Sequence, residues 1–233
     1  MSRNQCINCV LDTSAEEITF NEKGVCNYCI QAQRALSEIR KEKPNLHRII
    51  EQIKKDGEGK KYDVLCGLSG GVDSSTALHH VIDLGLRPLC FSMDNGFQSD
   101  IANENIMRMV ETLKVVFYRY VVDLVKFREL LSAFIKAGVP NIEIPTDHLI
   151  MATAYELADQ NDIKWIVSGG NVSEESILPK SWGYNARDLV HIKAIYKQFT
   201  GKELTDLPMC SLWRWNMYRH DKGIKIWYLL DYL

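Results

Sequence analysis

From residue 62 onward, short apolar runs alternate with stretches whose apolar residues recur every three or four positions. Residues 63–68 form an apolar run that ends in glycines and reads as a strand. Residues 74–84 suit a helix, with Gly85 at its end. Residues 88–93 predict a second strand, and Ile106, Met109, Val110 and Leu113 make a helical stripe. A third strand is expected at 115–122, then a helix through Phe127, Leu130, Leu131 and Phe134. Residues 146–159 predict a helix capped by Thr or Asp, 164–168 a fourth strand, and 189–199 a helix closed by Gly201. Strands alternating with helices imply an α/β fold with a parallel sheet covered on both faces.

Upstream the pattern changes. Residues 31–61 are charged and helical in period, with Leu46, Ile49, Ile50 and Ile53 on one stripe and Pro44 between two short helices. Residues 56–61 read as a linker. The expected division is 1–30, a cysteine-rich module; 31–61, a helical linker; and 62–233, an α/β domain.

Composition narrows the class. With 233 residues, 46% apolar and 25% charged, the chain has an ordinary globular balance. A net charge of −2 provides no whole-chain field for a polyanion, so nucleic acid loses weight as a partner. The basic residues between Arg34 and Lys61 read as a solvated helix face. The first residues lack the apolar run of a signal peptide, and no stretch approaches the roughly 20 apolar residues of a membrane span. A soluble, cytoplasmic protein with no membrane partner is expected.

Four of seven cysteines lie in the first 29 residues. Cys6 and Cys9, sixteen residues, then Cys26 and Cys29 fit the spacing of a structural zinc site, with iron as the alternative ion. Cys66, Cys90 and Cys210 read as packing thiols.

The sharpest signal is Ser69-Gly70-Gly71-Val72-Asp73-Ser74-Ser75, directly after a strand and opening a helix. Glycines allow a tight turn and close backbone approach, and free N–H groups at a helix start favour an anion. Asp73 would repel a bare phosphate, which suggests Mg²⁺ or a role in orienting the loop. The lysine of a Walker loop is absent, and so is a GxGxxG spacing. Asp94-Asn95-Gly96 and Gly169-Gly170-Asn171 end later strands, where ligands of open α/β sheets bind.

The run SGGVDSS resembles the PP-loop of the ATP pyrophosphatase superfamily, whose fold is adenine nucleotide alpha hydrolase-like. With Cys6-Ile-Asn-Cys9, Cys26-Asn-Tyr-Cys29, Asp94-Asn95-Gly96, Ile144-Pro145-Thr146-Asp147-His148, Gly169-Gly170-Asn171 and Glu175-Ser176-x-Leu178-Pro179, the chain resembles N-acetyl sugar amidotransferases of bacterial surface-polysaccharide and flagellin-sugar biosynthesis. The resemblance implies an enzyme that adenylates the acetamido oxygen of a nucleotide-linked N-acetyl sugar. Ammonia then replaces that oxygen, with release of AMP and pyrophosphate. It implies ATP, Mg²⁺ and Zn²⁺ as cofactors. Ser69, Gly70, Gly71, Asp73, Ser74, Ser75, Gly169 and Gly170 would bind ATP, and Asp94 would lie near the nucleoside. Asn171, Glu175 and Ser176 would meet substrate or magnesium, with Asp73, Asn171 and Glu175 catalytic.

Some positions keep two readings. Asp147-His148 is a helix start, favoured, or a group at the substrate mouth. Trp213, Arg214, Trp215 and Arg219 pack, the favoured reading, or form a sugar platform. Phe97 and Glu174 stand where the family carries Trp and Thr. Members of the family continue past this end, and residues 224–233 look cut from a longer core. No Cys–His pairing suggests a glutaminase, so a separate glutaminase partner is expected, and a homo-oligomer is left open. The competing reading is a PP-loop enzyme that thiolates tRNA.

Overall fold

The protein, seen in a computed structural model, is described over residues 4–175 and 177–233, apart from the side chains of residues 173, 174 and 180. Five parallel strands pair in the order β3-β2-β1-β4-β5: β1 Val64–Gly67, β2 Pro88–Asp94, β3 Val116–Val121, β4 Trp165–Ser168 and β5 Lys225–Tyr228. The expected α/β architecture with a parallel sheet is present. Strand alternation splits the core. Val64 and Cys66 face α2 (Leu46–Asp56), α3 (Val72–Asp83) and α4 (Asp100–Leu113), whereas Leu65 faces α6 (Ile144–Gln160). A third apolar cluster joins α5 (Leu124–Ala137), α6 and α8 (Leu189–Thr200). Cys66, Cys90 and Cys210 are all buried in these layers.

The helices start where local chemistry dictates. Ser99 caps α4 through Ala102 N, Asp123 caps α5 through Val125 and Lys126 N, and Asp188 caps α8 through His191 N. The helix expected at 146 begins instead at Ile144, with Pro145 in its first turn and no side-chain cap. The fixed φ of proline starts the helix, and this displaces the Thr146 or Asp147 cap. Asp147 lies inside the first turn, its N–H donating to Glu143 O.

Helix α1 (Asn27–Glu42) crosses residue 30: Cys26 is its cap, accepting from Cys29 N at 3.4 Å. A 3-10 turn at Lys43–Asn45, holding Pro44, leads into α2. Ile53 of α2 is fully buried, and Leu46, Ile49 and Ile50 pack beside it. The following turn is tied down. Asp56 accepts from Trp165 Nε1 at 2.8 Å, and Arg87 donates to Gly57 O, Lys60 O and the buried Asp63 carboxylate. The basic side chains Arg34, Arg40, Lys41, Arg48 and Lys54 are solvent-exposed.

Residues 224–233 are docked on the sheet. They supply β5 and the buried Leu229, and Leu230 and Tyr232 pack with the α2 stripe. No sequence pattern announces β5, because a four-residue edge strand carries too little alternation. No helix among the described residues is long and apolar enough to cross a membrane.

Ile53→Ala should lower unfolding free energy by about 2–5 kcal/mol. Denaturant melts measure this, and a loss under ~1 kcal/mol would mean that α2 is not part of the main core.

Candidate functional site

Strand order reverses between β1 and β4, and the crevice beyond such a reversal is where α/β sheets accept ligands. A cavity of about 380 Å³ opens there. The loops after β1 and β4 form one wall through Ser69, Asp73, Ser74, Gly169, Gly170 and Glu175. Phe91 and Met93 of β2, Ile150 and Met151 of α6, and Ile226 of β5 give the opposite side an apolar character.

The first loop is held by its own hydroxyls. Ser69 Oγ lies 3.0 Å from Ser74 Oγ and accepts from Gly71 N at 3.2 Å. Ser74 Oγ also accepts from Ser69 N, and Ser75 Oγ donates to Gly71 O at 2.6 Å. Gly70 has φ +77°, and a Cβ there would stand 2.3 Å from Ala102 O of α4. Asn105 of α4 donates to Gly70 O at 3.1 Å, which completes the seam. Val72 opens α3 with Asp73 in its first turn, so the helix's unpaired N–H groups and positive end face the cavity mouth. At the second loop, a Cβ on Gly169 would lie 3.0 Å from Ser74 N. The two loops therefore touch backbone to backbone.

Of the residues expected at the site, Gly70, Gly71 and Ser75 shape the loop but do not line the cavity. Asp94 does not line it either: its carboxylate accepts from Gly96 N at 3.0 Å and sits 4.0 Å from Arg119 Nη1. Asn171 accepts from Glu175 N at 3.2 Å through its carbonyl and lies just off the wall. Glu175 is on α7 (Val172–Glu175) and lines the cavity. Ser176 lies outside the described residues.

Three polar lining residues carry no expectation from the sequence: Ser92, Gln98 and Tyr228. Ser92 had a signal, a polar residue inside an apolar strand, and it accepts from Gln98 Nε2 at 3.0 Å. Tyr228 depends on β5, and nothing local marks Gln98.

His148 is not at the mouth of the cavity. It is buried, Nδ1 bonds Ala186 O at 2.7 Å, and Nε2 accepts from Cys210 N at 3.0 Å. Burial lowers its pKa, and a neutral ring with the proton on Nδ1 satisfies both partners. Cys210, pushed up to about 11 by burial, is a packing thiol here.

The second cluster is sulfur. The Sγ atoms of Cys6, Cys9, Cys26 and Cys29 all lie within 4.8 Å of one another, with Cys6–Cys29 at 3.9 Å and Cys9–Cys26 at 3.7 Å. Metal–sulfur bonds of about 2.3 Å in a tetrahedron set sulfurs about 3.8 Å apart. These four thiols can therefore hold a single metal ion. A polynuclear iron–sulfur cluster divides the four thiolates among two or four irons and spreads the sulfurs wider. Backbone N–H groups of Asn8, Cys26 and Cys29 already donate to the sulfurs. Burial opposes the Cys6 thiolate, yet the backbone N–H groups of Asn8 and Cys26 outweigh it and help bring the thiol down to about 6. Burial and the neighbouring sulfurs push Cys9 up to about 12.

Because a bound ion must displace protons from the raised thiols, apparent metal affinity should climb with pH and fall as the medium is acidified. Titration with Co(II) should give one ion per chain with tetrahedral thiolate absorption, and Cys26→Ser should abolish that spectrum. Gly70→Ala should cost about 1–3 kcal/mol from backbone strain alone. Thermal melts that leave this variant as stable as the parent would contradict the close contact with α4.

No protein-family model matches the sequence, and no curated protein matches it. Among solved structures, the chain is similar to an NH3-dependent NAD synthetase from Campylobacter jejuni in complex with nitrate (17% identity, 61% of this chain and 58% of that one, TM-score 0.40). It is also similar to a glutamine-dependent NAD+ synthetase from Acinetobacter baumannii in complex with ADP (18% identity, 69% of this chain and 31% of that one, TM-score 0.44). A third is NMN synthetase from Francisella tularensis (13% identity, 84% of this chain and 95% of that one, TM-score 0.41). The chain thus spans 58% and 31% of the first two in length.

Proposed function

We propose that the protein is an ATP-dependent amidotransferase that converts the acetamido group of a nucleotide-linked N-acetyl sugar into an acetamidino group. The observation that carries the reading is the serine–glycine loop at the sheet's reversal point, joined to a cavity with one polar and one apolar side. The polar wall suits phosphates, and the apolar wall suits a base and a sugar methyl.

The steps balance. The carbonyl oxygen of the amide attacks the α-phosphorus of ATP, and the bond to pyrophosphate breaks. The resulting O-adenylyl imidate carries a good leaving group. Ammonia adds at carbon, loses a proton, and expels AMP to leave the amidine. An amide oxygen is a weak nucleophile, so the protein's tasks are alignment and charge stabilisation at phosphorus.

Each residue has a part in this reading. Backbone N–H groups at the start of α3, with Ser69 and Ser74 at the cavity wall, hold the pyrophosphate, while Gly70, Gly71 and Ser75 keep the loop in shape. Asp73 and Glu175, which both line the cavity, would hold Mg²⁺. Magnesium bound there supplies positive charge to the departing phosphates. Gly169 and Gly170 let ATP approach the second loop, Asp94 keeps the turn at the nucleoside end, and Asn171 and Ser176 meet the sugar. The Cys6, Cys9, Cys26 and Cys29 site suits Zn²⁺ in a structural role. No cysteine lines the cavity among the described residues, and this favours amidation over the sulfur transfer of a tRNA-thiolating enzyme. A separate glutaminase would deliver the ammonia in a cytoplasmic setting.

The test incubates protein, ATP, magnesium and ammonium with a panel of nucleotide-linked N-acetyl sugars. AMP, pyrophosphate and a product with one oxygen replaced by NH are expected, and glutamine alone should support no turnover. Asp73→Ala should cut pyrophosphate release at least about 100-fold, with the fold kept. ADP as product would reject the proposal.

A further inference from the structure

An aromatic cluster shares a wall with the cavity. Tyr155 of α6 stacks on Tyr218 (centroids 5.5 Å apart, 24° between planes) and meets Trp215 edge-on at 5.2 Å. Trp215 belongs to α9 (Leu212–Asn216), and Tyr218 to the single π-helical turn that follows. All three rings are at most 2% exposed, so the packing reading holds for Trp215. Met151 and Ile226 pack on this cluster and also line the cavity.

Two cations lie over the rings. The Arg187 guanidinium is 5.9 Å from the Trp215 ring centroid, and that of Arg214 is 5.6 Å from Tyr218. Among the described residues, no carboxylate forms an ion pair with Arg187, Arg214 or Arg219. A guanidinium carries five N–H donors, so Arg214, which spends one on the Tyr218 phenol, keeps others for an anion. The Trp215 indole N–H is buried beside them with no acceptor. A buried donor without a partner is costly, and here it stands next to unneutralised positive charge. His148 holds the arrangement in place: its two ring nitrogens fix Ala186, the neighbour of Arg187, and Cys210, which precedes the Ser211 cap of α9. Arg187 and Arg219 pull down the Tyr155 phenol, which burial raises, and the same phenol feels Tyr228 of the cavity wall.

We propose that Arg187 and Arg214, carried on Trp215 and Tyr218, bind the diphosphate of a nucleoside-diphosphate-linked substrate whose sugar reaches into the cavity. This rests on the amidotransferase reading. Met151 and Ile226 are among the side chains that the ring cluster and the cavity share.

The test is calorimetry with UDP, GDP and dTDP on the full chain, its cavity filled by a non-hydrolysable ATP analogue. At least one diphosphate should bind, and Arg187→Ala or Arg214→Ala should weaken it about tenfold or more. Lysine at either position should restore part of the affinity. The ATP analogue should bind all variants equally, which shows that they are folded, and Arg40→Ala on α1 should change nothing. The corresponding nucleosides should bind parent and variants alike. Failure of all three diphosphates to bind would overturn the proposal. So would equal binding by parent and double variant, or loss of tRNA binding without loss of diphosphate binding. Arginine-dependent UDP binding with no amidine product sinks the activity alone. Amidine formation with an unchanged KM for the sugar nucleotide in the variants sinks the diphosphate site alone.

Discussion

Two turns of backbone approach their neighbours so closely that only hydrogen fits between them. Gly70 lies against the first turn of α4, and Gly169 against the first turn of α3. Close packing at both places fixes the distance between the loop after β1 and the loop after β4. That distance in turn sets the width of the crevice. A methyl group at either contact would force α3, α4 or β4 to move, and interiors yield poorly to such wedges. The cavity is therefore a property of the backbone before any side chain is considered.

On this frame the hydroxyl groups are already committed. Ser69, Ser74 and Ser75 bond within their own loop, so the loop is ordered before a ligand arrives. The ordering cost falls on folding and not on binding, which is how preorganised anion sites work. The sulfur site follows the same logic, because turns at Asn8 and at the head of α1 aim N–H groups at the sulfurs independently of any ion.

Features encoded over short distances were legible in the sequence. The glycine loop and the cysteine spacing each lie within one turn or one pair of turns; the loop opens a helix at Val72 and the four thiols converge. The helix beginning at Ile144 was misplaced because the pyrrolidine of Pro145 outranked two better-known caps. What escaped depended on sheet order. Gln98, Tyr228 and Ser92 meet only because β2, β1, β4 and β5 lie side by side, and no local pattern states that order. His148 was ambiguous for the same reason: its partners at 186 and 210 are far along the chain.

Helix α7, which carries Glu175, is a single turn of four residues. An isolated turn of that length does not persist in water. It packs against α1, whose own first turn is capped by Cys26 of the sulfur cluster. The first N–H of α7, from Val172, donates to Asp231 near the other end of the chain at 2.8 Å. A carboxylate at the cavity wall therefore takes its position from both ends of the polypeptide at once, and the crevice is finished only when both ends have folded onto the sheet.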